Sequence, residues 1–132
     1  MDLRFDEEKL KSTWNFINKL WNASRFVLLN IDGLKNIELT DLKPEDKWIL
    51  TKYEEIVKST TKHMEKYEFN VVGSELYSFI WDNFCDWYIE LSKHNMNNTT
   101  KSVLLKVLTD ILKLLHPFMP FITEELWQAL AD

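Results

Sequence analysis

Apolar side chains recur at spacings of three and four residues along most of the chain, and this period predicts α-helices. The first helix should begin after Asp6, whose carboxylate can cap free amide groups, and should end at about Asn30, before Asp32 and Gly33. One apolar stripe runs along this helix, and we expect it to face the core. Its members are Leu10, Trp14, Ile17, Trp21, Ser24 and Leu28.

The pattern predicts a second, amphipathic helix from about Pro44, which suits a first helical position, to Tyr67. Residues 32–43, which precede it, have no helical period long enough to predict a helix. We therefore expect this stretch to be an ordered connection. The positions of the second helix that should point inward are Ile49, Tyr53, Ile56, Thr60, Met64 and Tyr67.

A third helix is predicted from Val71 to about Lys93, with Asn70 as its cap. It is apolar around most of its circumference, which is typical of the middle of a bundle. Asp82 and Asp86 lie four residues apart in a narrow polar strip, and their mutual repulsion indicates a cation nearby on another element.

The fourth helix should be capped by Thr99 or Thr100 and should end near His116. Residues 116–122 contain two prolines among apolar side chains, so we expect a buried bend, followed by a last short helix that Thr123 caps. The apolar face of the fourth helix consists of Val103, Leu104, Val107, Leu108, Ile111, Leu114 and Leu115.

These elements predict an all-α fold, a bundle of four main helices plus a short C-terminal helix, in a single domain over residues 1–132. The composition agrees, because only two glycines and three prolines occur in 132 residues. Replacing Trp21 by alanine should then cost about 3–5 kcal/mol of stability. We expect eight side chains to be buried together: Trp14, Trp21, Phe79, Trp87, Leu91, Val107, Leu108 and Ile111.

The formal net charge of -5 gives no overall positive field for a nucleic acid, so any RNA would have to be bound by a local patch or through its bases. The single cysteine, Cys85, is expected to be a small core residue in a cytoplasmic protein. No apolar run reaches the roughly 20 residues that cross a membrane. The chain has no phosphate loop, metal-ligand spacing or catalytic constellation, so we expect no catalytic residue and no metal site.

One face of the first helix carries a different chemistry. Asn15, Lys19, Asn22 and Phe26 form a row about opposite the expected core stripe. Amides can read base edges, an aromatic ring can stack on an unpaired base, and a lysine can meet a phosphate, so the row fits a single-stranded RNA loop. The alternative is that Phe26 fills a second packing surface.

Four runs of the sequence carry a family resemblance, namely WNFINKLWNASRF at 14–26, DKWIL at 46–50, FCDWYIELSK at 84–93 and LLHPFMPFITEELW at 114–127. They resemble the anticodon-binding domain of the valyl-tRNA synthetases, which are class I aminoacyl-tRNA synthetases. The resemblance covers nearly the whole chain in this order. It implies a helical domain that follows the catalytic core of the parent enzyme and receives the anticodon loop of the tRNA for valine.

The resemblance also implies where the chemistry of the parent enzyme lies. Neither its His-Ile-Gly-His nor its Lys-Met-Ser-Lys-Ser type of signature occurs here. ATP-dependent ligation of valine should therefore be catalysed on other parts of that enzyme, with ATP bound there and no cofactor bound by this domain. The expected partners are the tRNA and the catalytic and C-terminal domains of the same chain, in a monomer with no membrane contact.

By this resemblance Lys19 and Phe26 are the foremost candidates for touching the anticodon loop, followed by Asn15 and Asn22, with Arg25 flanking them. Trp14 stands where many members of the family carry arginine, and its place on the expected core stripe assigns it to packing. The competing hypothesis is a helical domain that binds another protein, or another part of its own chain, without touching RNA. The acidic net charge favours that reading, and the four runs favour the RNA-binding one.

Overall fold

In the computed structural model, the backbone is described for residues 3–131 and side chains for residues 11–130. The described residues form helices joined by short connections, with no strand among them. This confirms the all-α prediction of four main helices and a short C-terminal one. The helices are α1 (Leu3–Asn30), α2 (Pro44–Glu65), α3 (residues 69–92), α4 (Asn98–Leu115) and α5 (Pro120–Ala131).

Helix α3 changes its hydrogen-bonding pattern along its length. It is α-helical over Phe69–Ser78, π-helical over Phe79–Tyr88 and α-helical again over Ile89–Ser92. A π-helix pairs each amide with the carbonyl five residues earlier, so each turn holds more residues than an α-turn. The sequence pattern predicts an ordinary α-helix, and this was wrong over Phe79–Tyr88. The predicted cap was wrong as well, because Asn70 lies inside the helix, which begins at Phe69.

The core lies where α3 and α4 meet the other helices. Helix α3 packs against both α1 and α2, while α4 packs against α1, α2 and α5. Phe79, Val107, Leu108 and Ile111 are buried there, which confirms these four of the eight predicted core residues. The largest fully buried side chains are Leu20, Ile49, Ile80, Phe84, Tyr88, Leu104, Leu108, Ile111 and Leu112.

The predicted core face of α1 was wrong for its tryptophans, although Ser24, which belongs to the predicted stripe, is buried. Trp14 is 62% exposed and Trp21 is 45% exposed, while a neighbouring stripe is buried. Both stripes have helical spacing and lie about 100° apart around the helix, so periodicity alone does not separate them. The side chain of Leu10 lies outside the described side chains. The buried stripe of α1 consists of Phe16, Leu20, Ala23, Ser24 and Val27.

Two further core predictions in α3 also failed. Trp87 is 61% exposed, and Leu91 is only half-buried. Trp87 lies near the end of the π-helical stretch and Leu91 lies after it, so an apolar face extrapolated at 3.6 residues per turn is out of phase with the real helix at both positions. Cys85, in contrast, is buried as predicted.

Several helix ends differ from their predicted positions. Helix α1 begins at Leu3 and not after Asp6. Helix α2 ends at Glu65, and Tyr67, predicted to point inward, is exposed in a left-handed turn with φ of 60°. Met64, the inward position before it, is exposed as well.

The caps of the last two helices also differ. Asn97, and not Thr99 or Thr100, caps α4, because its side-chain oxygen accepts from the amide of Thr100 at 2.8 Å. Helix α5 begins at Pro120, so Thr123 lies within the helix and not at its cap. A proline is well suited to that first position because its missing amide would have no helical partner.

The connection over residues 31–43 is ordered, as predicted. It leaves α1 through Gly33, whose φ of 85° is a conformation that side chains with a Cβ rarely adopt. It is then fastened to the start of α4, because the Glu38 amide donates to the Ser102 hydroxyl at 2.8 Å and the Thr99 hydroxyl donates to the Thr40 carbonyl at 2.7 Å. These bonds fix the path of the chain between α1 and α2.

A buried polar contact joins α2 to α3. Asp46 and Tyr88 are both fully buried, and the tyrosine hydroxyl donates to Asp46 Oδ1 at 2.6 Å. The other carboxylate oxygen accepts from the backbone amide of Lys43 at 3.0 Å, which caps the start of α2. Burial, followed by the hydrogen bond to Asp46, raises the pKa of Tyr88 well above its ordinary value. The phenol therefore remains a donor at neutral pH.

We expect the domain to lose stability as the pH rises above about 9. Burial raises the pKa of Cys85 from 9.0 to about 12, and burial with the nearby charge of Asp110 raises the pKa of Tyr53 from 10.0 to about 12. The folded state therefore keeps protons that the unfolded state releases, so the free energy of unfolding falls between about pH 9 and 12 and is unaffected by these groups below that range.

Urea unfolding at pH 8, 9.5 and 11 measures this decline. In Cys85→Ala the part of the decline that begins near pH 9 should shrink, because only the tyrosines, whose ordinary pKa is 10.0, then contribute. Equal unfolding free energies of the unaltered chain at pH 8 and 11 would contradict the expectation.

Candidate nucleic-acid interface

The row predicted to meet RNA lies beside the core stripe of α1, not opposite to it. Asn15, Lys19 and Asn22 each precede a buried residue of α1 by one position, as does Phe26. This displacement turns the row by about 100° from the core, toward one of the helices that pack against α1. Lys19 and Phe26 are consequently half-buried, whereas Asn15 and Asn22 are exposed.

Three of the five predicted residues come together in one surface depression, which we call the seam groove because it follows the contact between α1 and α3. Its volume is about 280 Å³. Asn15 and Arg25 are exposed on α1 and do not line it. The seam groove is lined by Lys19, Asn22, Ala23 and Phe26 from α1 and by Cys85, Asp86, Ile89, Glu90 and Lys93 from α3.

Lys19 is held by two partners from α3. Its ammonium forms an ion pair and hydrogen bond with Asp86 Oδ1, and it lies 4.5 Å from the centroid of the Trp81 ring. The predicted cation near the Asp82 and Asp86 strip is thus confirmed, and it comes from α1. Because a carboxylate already neutralises the ammonium, Lys19 is not a free site for a phosphate.

A stack of aromatic rings supports this lysine. The Phe16 and Tyr77 rings are stacked with centroids 5.2 Å apart, and the Tyr77 and Trp81 rings are stacked at 5.5 Å. Tyr77 therefore has a ring on each side, and the Lys19 ammonium lies over Trp81. These contacts fix the ammonium at one end of the seam groove.

Phe26 forms a wall of the groove at its other end. The ring packs against the core, and the Lys93 ammonium lies 5.3 Å from its centroid. Lys93 also donates to Glu90 Oε1 at 2.8 Å. The exposed part of the Phe26 ring is an apolar surface on which a flat, unpaired base could stack.

The charges lining the seam groove cancel. Two lysines, Lys19 and Lys93, each pair with a carboxylate of α3, Asp86 and Glu90 respectively. A phosphate entering here would meet as much negative as positive charge. The groove instead offers an aromatic ring, an amide and hydrogen-bonding side chains of both polarities, which is the chemistry that suits a base.

Sequence reasoning missed the part that α3 contributes to this site. Trp81, Asp86, Glu90 and Lys93 were not among the predicted site residues, although Asp86 had been assigned to an ion pair. The one available signal was that unmatched pair of aspartates, which indicated a cation without saying which one.

Two other kinds of site are absent from the described part of the chain. The described residues contain no group of three or more His, Cys, Asp or Glu side chains that could hold a metal ion. None of the helices, as far as they are described, is both long and apolar enough to cross a membrane.

Comparison with known proteins gives a consistent picture. Residues 46–132 match the family model of the anticodon-binding domain of tRNA ligase. The chain is 55% identical, over 98% of its own length and 16% of theirs, to the valine-tRNA ligases of Bacillus cereus and Listeria monocytogenes. It is 54% identical to that of Bacillus subtilis over the same shares. Nearly all of α1, which precedes the family match, lies within the aligned part of these relatives.

Proposed function

The chain belongs to the family of anticodon-binding domains of tRNA ligases, and we propose that it receives the anticodon loop of the tRNA for valine within a valine-tRNA ligase. The observation that supports this most is the seam groove, because Lys19, Asn22 and Phe26, three residues of α1 whose chemistry suits an RNA loop, line it together. The 55% identity to valine-tRNA ligases supports valine as the amino acid.

The groove is suited to an unpaired base of the loop. The base would stack on Phe26 with its edge toward the amide of Asn22 and the ion pair of Lys19. Loop nucleotides expose their base edges in this way, whereas paired nucleotides do not. The exposed Arg25, on the outer surface of α1, is the cation that we assign to a neighbouring phosphate.

The rest of the reaction belongs to other parts of the parent protein. The chain spans 16% of the length of the relatives that it matches. We propose that valine activation and ATP binding take place outside it, and that the domain contributes only by positioning the tRNA. A cytoplasmic, monomeric ligase is the setting that this proposal assumes.

A second role is favoured by the opposite flank of α1. Trp14 and Trp21 are exposed there, two helical turns apart on one side of the helix, and exposed large apolar side chains on one face can mark a contact surface. We propose that this flank packs against the catalytic or C-terminal domain of the parent protein. Failure of the folded domain to bind the loop would leave this as its main role.

Replacing Phe26 by leucine should weaken binding of an anticodon stem-loop by roughly 1–3 kcal/mol, because leucine keeps an apolar side chain against the core but offers no ring for stacking. Fluorescence anisotropy of a labelled stem-loop, titrated with the 132-residue chain to high concentration, measures the change. A high protein concentration is needed because a domain of net charge -5 gains little from counterion release and should bind weakly.

A matched control is Leu29→Ala, which removes an exposed apolar side chain from the same helix outside the groove. It should leave the dissociation constant unchanged. If Phe26→Leu binds the loop as tightly as the unaltered chain while both melt at the same temperature, the stacking role of Phe26 is wrong.

A further inference from the structure

The two ends of the Lys19–Asp86 pair differ in what they can offer a ligand. The ammonium is bonded to Asp86 Oδ1, while Oδ2 has no hydrogen-bond partner among the described residues. An ammonium only donates hydrogen bonds, and a carboxylate only accepts them. The pair therefore presents a donor and an acceptor side by side at the end of the seam groove.

A second acceptor reinforces the first. Glu90 lies four residues after Asp86, on the same side of α3, and also lines the groove. The Lys93 ammonium engages Glu90 Oε1. The α3 wall of the groove therefore carries carboxylate oxygens that favour ligand groups with N–H donors and oppose carbonyl oxygens.

We propose that Asp86 makes the seam groove selective for a base with an exocyclic amino group, and against uracil; this inference rests on the proposed function. The amino group of adenine, cytosine or guanine would donate to Asp86 Oδ2 while the base stacks on Phe26. Lys19 would donate to the acceptor next to that amino group, which is a ring nitrogen in adenine and cytosine. Acidic side chains accept from the cytosine amino group in the same way in other nucleic-acid complexes.

Uracil cannot make the same contacts. Its single ring N–H lies between two carbonyl oxygens, so a carboxylate that accepts from it also faces both oxygens. One of these oxygens can take a hydrogen bond from Lys19, while the other lies against the Asp86 carboxylate, which cannot donate to it. Asp86 is exposed, so its carboxylate stays hydrated when uracil is present, and the expected penalty is the loss of the charge-assisted hydrogen bond together with the repulsion between oxygens.

The test compares stem-loops that differ in one base. Each unpaired amino-bearing base of the anticodon is replaced by uracil in turn, and the dissociation constants are measured for the 132-residue chain and for Asp86→Asn. For one position, the uracil loop should bind the unaltered chain about tenfold more weakly. In Asp86→Asn this ratio should fall to about threefold or less, because an amide can donate to a carbonyl as well as accept from an amino group.

The ratio of the dissociation constants for the two loops separates base selectivity from the general effect of charge on RNA affinity. Removing the negative charge of Asp86 also frees Lys19 and changes the affinity for every loop, but this change cancels in the ratio of two loops. The matched control is Asp82→Asn, which changes the charge of the same helix by the same amount at an exposed position outside the groove. It should keep the full uracil penalty.

Each result decides the proposal. Equal affinity of the unaltered chain for all loops overturns the selectivity while the proposed function stands. A uracil penalty that persists undiminished in Asp86→Asn assigns the selectivity to other residues and also overturns it. Failure of the folded chain to bind any loop overturns the proposed function and this inference together.

Discussion

Replacing Asp46 by alanine should lower the free energy of unfolding by about 3–5 kcal/mol, the largest effect that we expect from a single polar residue here. The change removes the acceptor for the buried Tyr88 hydroxyl and the acceptor for the Lys43 amide. The hydroxyl would lose its hydrogen-bond partner at a fully buried position. Urea unfolding followed by circular dichroism measures the loss.

Two variants control this experiment. Asp46→Asn keeps an oxygen that can accept from Tyr88 and should lose about half as much stability. Glu54→Ala removes the same charge from an exposed position of α2 and should change stability by only about 0.5 kcal/mol. If Asp46→Ala unfolds at the same urea concentration as Glu54→Ala, the buried contact contributes nothing to stability.

The adjacent residues Leu20 and Trp21 should respond very differently to truncation. Leu20 is fully buried between α1 and its neighbours, so Leu20→Ala should cost about 3 kcal/mol or more. Trp21→Ala removes a larger side chain, but 45% of that side chain is already exposed to solvent. The substitution should therefore cost only about 1 kcal/mol of stability. This reverses the expectation drawn from the sequence alone.

Thermal melts of the two variants provide the comparison. The melting temperature of Leu20→Ala should fall several times further below that of the unaltered chain than the melting temperature of Trp21→Ala. A larger drop for Trp21→Ala would mean that the tryptophan stripe of α1, and not the Leu20 stripe, faces the core.

In α1, the sequence predicted the helix but not which of its two apolar stripes is buried. The presence of a helix in each of five places, with ends within a few residues, follows from local spacing and was confirmed, although the π-helical middle of α3 was not predicted. Which of two apolar stripes faces inward depends on the shapes of neighbouring helices. Trp14 and Trp21 belong to the bulkier stripe, yet the stripe of Leu20, Ala23 and Val27 is the one that is buried.

Helix α3 shows a second limit. Nothing in the residues 79–88 distinguishes a π-helix from an α-helix, because the choice depends on which carbonyls the surrounding packing leaves free. Positions near its end, such as Trp87, and positions after it, such as Leu91, are rotated relative to the α-helical expectation. The polarity of α3 was predictable, but the direction in which its last turns point was not.

The sequence predicted the part of the candidate site that α1 contributes, but not the part that α3 contributes. The α1 row could be selected because its residue types suit a base and occur at helical spacing. Asp86 lies 67 residues after Lys19, and no local pattern indicates that the two side chains would meet. Long-range pairs of this kind are determined only by the tertiary fold. The sequence alone therefore predicted that Lys19 binds a phosphate, whereas in the structure Lys19 pairs with the Asp86 carboxylate.

Because the seam groove is assembled from two helices so far apart in sequence, it does not exist in the unfolded chain. A ligand of the groove therefore binds only the native state, and its binding free energy is added to the conformational stability of the bundle. At a free-ligand concentration a hundred times the dissociation constant this linkage amounts to about 2.7 kcal/mol. A substitution that only loosens the packing of α1 on α3 would consequently weaken ligand binding even though the substituted residue does not contact the ligand. A saturating concentration of the RNA loop would in turn raise the melting temperature of such a variant again.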